Sequence, residues 1–302
     1  MAKKILIDTD CGIDDAIAIM MALAANEVEV IGITTVSGNV RLVNVIDNVL
    51  RLLSYLDKKD IPVYRGASGA LVEKAVRAEG PHGKNGLGDL KLPAPRVSLQ
   101  DAMAPEGIYR HAKADPGLTV VTLGPMTNLA IAVNLYPELK SLIAEIVVMG
   151  GAIGRGNVTA FAEFNFYADP ESVQFILDSS IPLHLIPWDA CVASSYSEAE
   201  LLALGMSGNR AGDLFLDLIK VPIDYMERFT GMRTLALADP AAMAYAIDPG
   251  ATLRKISGGL MMELNRSTLR GASVYHGEGS IPIVMEMQKE RFTELLLAIK
   301  HL

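Results

Sequence analysis

Asp8-Thr9-Asp10-Cys11-Gly12-Ile13-Asp14-Asp15, directly after the apolar run Ile5-Leu6-Ile7, sets four carboxylates within eight positions. Like charges crowded this closely repel one another and resist removal from water, so a fold that carries them needs a cation to neutralise them or a ligand to satisfy them. An all-oxygen donor set suits a hard divalent ion, Ca2+ or Mg2+. One such Asp would be accounted for by a solvated turn, with Asp14 and Asp15 favouring the first turn of a following helix. Four exceed that explanation, and the stretch reads as strand, metal loop, helix.

The same alternation continues outward. Short β-branched runs at 5–7, 28–36, 118–123, 146–149 and 183–186 are separated by helical patterns at 15–25, 42–56, 127–136 and 170–178. This is the signature of an α/β fold with a mostly parallel β-sheet, helices on both faces and a Rossmann-like core. Ligands of such sheets sit beyond the carboxyl ends of the strands. Those ends are polar and glycine-rich here: the acidic stretch, Thr34-Thr35-Val36-Ser37-Gly38-Asn39, Leu123-Gly124-Pro125-Met126-Thr127-Asn128 and Met149-Gly150-Gly151. Residues 68–95, rich in Gly, Pro and charge, read as a long loop, a length uncommon unless it binds or covers something. Residues 197–234 read as a helical cap-like segment, with Tyr225, Met226, Phe229 and Met232 forming either an apolar wall for a ligand or ordinary core.

The 302 residues are half hydrophobic, enough for one large α/β domain spanning 1–302, the simplest reading. A net charge of −8 without a long Lys/Arg run argues against nucleic acid or an anionic membrane as partner. A small neutral or cationic ligand fits better. No signal-peptide pattern and no stretch of about 18 apolar residues occurs, which leads to the expectation of a soluble, cytoplasmic protein. Two cysteines, Cys11 and Cys191, are too few for a disulfide framework.

A second polar group comprises Asn157, Glu163-Phe164-Asn165 and Asp169-Pro170, a mixture of donors and acceptors suited to vicinal hydroxyls. A third is Leu237-Ala238-Asp239-Pro240, where Asp239 on its own reads as a helix N-cap. Taken in order, the acidic opening, Thr35-Val36-Ser37-Gly38-Asn39, His82-Gly83, Leu123 through Ala130, Met149 through Asp169-Pro170, and Asp239-Pro240 resemble the inosine-uridine preferring nucleoside hydrolase family. Cys11, where many members carry Pro, is similar to a branch with Cys in that motif.

The resemblance implies a Ca2+ enzyme of nucleoside salvage that cleaves the N-glycosidic bond of ribonucleosides to ribose and free base. It implies Asp10, Asp15, Asp239 and the Leu123 carbonyl as metal ligands. Asp10 is also implied as general base, acting on a water that the cation and Asp10 together activate. Asp14, Asn165 and Asp239 would hold the 2′ and 3′ hydroxyls, Asn157 and Glu163 the 5′ hydroxyl, with Asn39, His82 and Met149 also lining the substrate site. A homodimer or homotetramer is implied too. Negative charge around a sugar that develops oxocarbenium character favours the transition state over the ground state. Asp8 reads as a group that orients the ligands from behind.

One departure concerns the leaving group. Members acting on both base classes carry a His immediately before the late Asp; here that place is Ala238. Trp188, Tyr225 and Phe229 are aromatic alternatives beside the base, or packing residues. Two other function classes compete. A haloacid-dehalogenase-like Mg2+ phosphatase also opens with a strand and two alternating Asp, Asp8 serving as nucleophile, and a nucleoside-binding protein without turnover would tolerate Ala238.

Overall fold

The computed structural model describes residues 2–302. The first half of the chain runs β1 (Lys3–Thr9), α1 (Ile13–Ala24), β2 (Val28–Thr35), α2 (Leu42–Tyr55), β3 (Val63–Arg65), α3 (Glu79–His82), β4 (Leu99–Met103), α4 (Ala104–Ala114), β5 (Leu118–Thr122), α5 (Thr127–Leu135), α6 (Leu139–Leu142) and β6 (Ile143–Met149). The second half runs α7 (Phe164–Ala168), α8 (Pro170–Leu177), β7 (Leu183–Ile186), α9 (Trp188–Ala193), β8 (Tyr196–Ser197), α10 (Glu198–Ala203), α11 (Arg210–Thr230), β9 (Thr234–Leu235), α12 (Ala238–Ile247), β10 (Thr252–Met262), β11 (Ser273–Met287) and α13 (Lys289–Leu297). Nine strands form one sheet in the order β10-β11-β7-β6-β5-β1-β2-β3-β4, parallel throughout except for the β10–β11 pair.

Alternation along each central strand feeds both faces. Ile5 and Ile7 of β1, Val121 of β5 and Val147 of β6 enter the core on one side; Leu6, Val120, Ile146 and Val148 enter the core on the other. From β1 the chain winds toward β4 in one direction, and β5 through β7 extend the sheet in the other, so the winding reverses between β1 and β5. The crevice at the carboxyl ends of these two strands is where such a sheet receives a ligand.

The expected parallel core is present, with helices on both faces. Four strands of this sheet, and the short separate β8–β9 pair, lay outside the sequence reading. β3 is only three residues long, β4 is largely exposed, and the β10–β11 hairpin carries Gly258, Gly259, Gly277 and Gly279, which dilute an alternating pattern. Residues 68–95 contain only the one-turn α3, and the segment around 197–234 is mainly α10 and α11. Among the described residues no helix is long and apolar enough to cross a membrane.

The late helix α12 is anchored at the amino-terminal edge of the sheet. Tyr245 on α12 hydrogen-bonds His184 Nδ1 of β7 at 2.8 Å, and His184 Nε2 lies 3.2 Å from Glu145 of β6. Glu145 also accepts from Thr119 Oγ1 of β5 at 3.0 Å and pairs with Lys3 Nζ of β1 at 3.3 Å. The hydrogen bond from His184 leads the causes that hold the Glu145 carboxyl down at about 2. A lowered folded-state value stabilises the fold above the ordinary carboxylate range and loses that contribution as pH falls toward 2. Glu145→Gln is expected to cost about 1–3 kcal/mol at pH 7 and to flatten the acid limb of a plot of unfolding free energy against pH, both read by denaturant titration.

Candidate active site

Strand β1 delivers the acidic stretch into the crevice. Asp8, Asp10 and Asp15 are fully buried, and Asp14 is half-buried at the start of α1. Asp8 lies beneath the loop, its Oδ1 accepting from Thr34 Oγ1 at 2.6 Å and Asn128 Nδ2 at 2.7 Å. Asn128 also donates to Thr35 O and accepts from Ala67 N, so one amide joins the ends of β1, β2 and β5 and the exit from β3. Asp8 Oδ2, like Asp10 Oδ1, is buried without a hydrogen-bond partner. The phosphatase reading took Asp8 as nucleophile; its Oδ1 is instead committed to Thr34 and Asn128.

Asn39 organises the loop from the β2 side. Its backbone N–H donates to Asp10 Oδ2 at 2.6 Å, and its side-chain amide donates to Asp15 Oδ2 at 3.2 Å. Asp15 Oδ2 also accepts from Gly12 N at 2.8 Å. Gly38 permits the approach: a Cβ there would fall 2.0 Å from Asp10 Oδ2. Gly12 is similarly confined, its position for a Cβ lying 2.6 Å from both Asn39 Nδ2 and His82 Nδ1. His82 Nδ1 accepts from Ile13 N at 3.2 Å and lies 3.7 Å from Asp14 Oδ1.

Asp239 reaches this loop from more than two hundred residues away in the chain. Read alone it was expected to cap a helix, but α12 begins at Ala238 with Leu237 in the capping position. The Asp239 carboxyl instead faces the acidic loop, and Asp14, Asp15 and Asp239 bring one oxygen each within 4.8 Å of one another. Asp10 stands beside this trio, close enough for the charges of Asp15 and Asp14 to act on it.

Burial, then the Asp15 charge, pushes the Asp10 carboxyl well above the carboxylate range; burial, then Asp14, does the same to Asp239. Burial also raises Asp14, against the partial relief of His82. Asp10 Oδ1 and Asp14 Oδ1 are buried without a hydrogen-bond partner. Unsatisfied oxygens and mutually repelling like charges fit a hard divalent cation held by this group.

The ribose-side candidates gather on the neighbouring strand ends. Asn165 Nδ2 donates to Leu123 O at 2.8 Å and to Met149 O at 3.1 Å, with Met149 Sδ at 3.2 Å, so three of the expected residues form one contact. Glu163 caps α7: Oε1 accepts from Asn165 N at 2.9 Å and Oε2 from Gly151 N at 2.8 Å and Phe166 N at 3.2 Å. Burial pushes the Glu163 carboxyl up to about 7. Asn157 is exposed on the preceding loop and accepts from Phe164 N at 2.8 Å. Of the aromatic candidates, Tyr225 and Phe229 pair at 4.5 Å between centroids, and Phe229 and Met232 are exposed rather than core. Tyr225 packs on Gly80, next to His82, whereas Trp188 packs against the hydrophobic core.

The family sequence model described as inosine-uridine preferring nucleoside hydrolase matches residues 5–294. The chain belongs to the inosine-uridine preferring nucleoside hydrolase family. It is 34% identical to the pyrimidine-specific ribonucleoside hydrolase RihA of Shigella flexneri, over 98% of this chain and 97% of that protein. Among solved structures, a plant nucleoside hydrolase superposes with a TM-score of 0.92 at 29% identity, covering 99% of both chains. A purine-preferring ribonucleoside hydrolase from Gardnerella vaginalis gives 0.91 at 29% identity, covering 99% of this chain and 98% of that one. Nucleoside hydrolases are N-glycosyl hydrolases, and this family member is an enzyme of that kind.

The residues missed from sequence are supporting ones: Thr34, Asn128 and the hydroxyl of Thr9. Their signal was weak because Thr and Asn at strand ends are common in turns. Gly38→Ala is expected to displace the Asp10 carboxylate while leaving far-ultraviolet circular dichroism unchanged. A loss of about 100-fold in kcat/KM on a nucleoside would follow from an ångström-scale misplacement.

Proposed function

We propose that the chain catalyses Ca2+-dependent hydrolysis of the N-glycosidic bond of ribonucleosides, releasing ribose and the free base. The observation that carries this reading is the convergence of Asp239 on Asp14 and Asp15 beside Asp10, at the β1–β5 crevice. Asp10, Asp15, Asp239 and the Leu123 carbonyl would hold the cation, with Asp14 close enough to join them. Bound there, Ca2+ supplies Lewis-acid polarisation of the attacking water and a fixed charge that orients the sugar hydroxyls.

The protein side chains divide the remaining work. Asp10, fixed at Oδ2 by Asn39 and unpaired at Oδ1, accepts the proton of the attacking water as general base. Asp14 and Asn165 align the 2′ and 3′ hydroxyls together with Asp239, and Asn157 and Glu163 hold the 5′ hydroxyl. The surrounding carboxylates favour the positive charge that develops on the ribose ring. His82 accepts from Ile13 N through Nδ1, which leaves its ring proton on Nε2 for a base or sugar contact. Ala238 contributes no proton, so departure of the base rests on the aromatic edge formed by Tyr225 and Phe229 and on solvent.

The relatives include pyrimidine-specific and purine-preferring enzymes. A panel of purine and pyrimidine ribonucleosides, with nicotinamide riboside and deoxynucleoside controls, assayed for released sugar will define the base preference. EDTA is expected to abolish turnover and Ca2+ to restore it. Asp10→Asn is expected to lower kcat about 10²–10⁴-fold with the fold intact. Activity that persists after both treatments contradicts the mechanism, and tight nucleoside binding without sugar release supports a binding protein instead.

A pH dependence follows from the buried acids. Glu163 and Asp8 are both raised to about 7 in the fold, so the unfolded chain ionises first as pH rises. The metal-free protein is then expected to lose stability between about pH 4 and pH 7. Ca2+ opposes the repulsion, and its increment in Tm is expected to be larger at pH 8 than at pH 5.5. At free Ca2+ a thousandfold above Kd the increment corresponds to about 4 kcal/mol. A Ca2+ increment that does not change with pH contradicts this linkage.

A further inference from the structure

Thr9 is fully buried at the carboxyl end of β1, between Asp8 beneath the loop and Asp10 beside the acidic cluster, and no step of the proposed reaction uses it. Its backbone carbonyl is committed to Val36 N at 2.9 Å, leaving the hydroxyl as its free functional group. That oxygen accepts from Cys11 N at 3.0 Å and lies 2.5 Å from Asp15 Oδ1. An amide N–H can only donate, so the lone pair facing Cys11 is occupied and the hydroxyl hydrogen is directed to Asp15.

The two oxygens of Asp15 are therefore fixed from both sides. Oδ1 takes the Thr9 hydroxyl, while Oδ2 takes Gly12 N at 2.8 Å and Asn39 Nδ2 at 3.2 Å. Three donors from three positions set the plane of a carboxylate that lies within 4.8 Å of an Asp239 oxygen. The same hydroxyl grips the amide of Cys11, a non-glycine residue held at φ 29°. One OH thus links the strained turn of the loop to the orientation of its carboxylate.

We infer that Thr9 is a positioning residue for the cation site, presetting Asp15 through its hydroxyl. This rests on the reading of the acidic group as a Ca2+ site. A valine at position 9 matches the size of threonine and lacks only the hydroxyl function. A serine keeps the hydroxyl and lacks the methyl group.

The experiment is isothermal titration of the chelator-treated, full-length protein with Ca2+, comparing wild type, Thr9→Val and Thr9→Ser. Thr9→Val is expected to weaken Ca2+ binding by about 10–100-fold, the usual consequence of losing a hydrogen bond to a metal ligand. Thr9→Ser is expected to bind as wild type, and kcat of Thr9→Val at saturating Ca2+ to recover most of its value. Cys11→Gly separates the two functions of the hydroxyl, because glycine adopts φ 29° freely. In the Thr9→Val background this substitution restores backbone ease without restoring the bond to Asp15, so the Ca2+ defect is expected to persist. Thr9→Ala, which removes the hydroxyl with less bulk than valine, is the second variant if Thr9→Val does not fold, and the same Ca2+ defect is expected of it. Unaltered affinity in Thr9→Val, a Thr9→Ser variant as weak as Thr9→Val, or full rescue by Cys11→Gly overturns the inference. A wild-type protein that binds no divalent cation overturns both this inference and the metal reading beneath it.

Discussion

Mutual repulsion among buried carboxylates is the constraint on which this structure turns. Asp10, Asp15 and Asp239 are excluded from water and lie within range of one another's charge, with Asp14 alongside. In a metal-free protein Asp10 and Asp239 are driven toward their neutral forms and Asp10 keeps an unpaired oxygen, an arrangement that folding alone would not favour. The surrounding structure holds it in place. Backbone amides of Gly12 and Asn39, the Asn39 side chain and the Thr9 hydroxyl fix the carboxylates without neutralising them, while the glycine at 38 leaves room for Asp10 and that at 12 for Asn39 and His82.

The fold supplies the means of convergence. A parallel sheet puts the exits of β1, β2, β5 and β6 at one edge, so residues drawn from four loops meet without any long-range search beyond the sheet itself. Asp239 is the exception, because it comes from a helix rather than a strand exit. Helix α12 carries it, packed into the core and tied at its far end through Tyr245, His184 and Glu145 to the opposite edge of the same sheet. The sheet thus sets both ends of the geometry, the acidic loop directly and Asp239 through α12.

Much of this was legible in the chain. The alternation of apolar runs and helical patterns identified the parallel core, because strands buried on both faces are nearly continuous in apolar character. The acidic opening pointed to a group that could hold a cation, because four carboxylates in eight residues have no comfortable structural explanation. The long-range partner was harder. Asp239 before Pro240 looks like a helix cap, and only its nearness to Asp14 and Asp15 in the fold shows that its carboxyl faces the other acids. The β10–β11 hairpin was hidden for a different reason: its glycines and exposed positions erase the alternation on which strand recognition depends. Thr9, Thr34 and Asn128 were hidden because their significance lies in which atoms they touch rather than in their residue type.

The proposed chemistry requires one divalent cation shared by side chains from both ends of the chain. Crystals grown with Ca2+, with the ion located by its anomalous scattering, would reveal it. One ion is expected at about 2.3–2.6 Å from oxygens of Asp10, Asp15 and Asp239 and from the Leu123 carbonyl. An ion bound elsewhere, or one that contacts the amino-terminal acids while the Asp239 carboxyl stays out of reach, would contradict it.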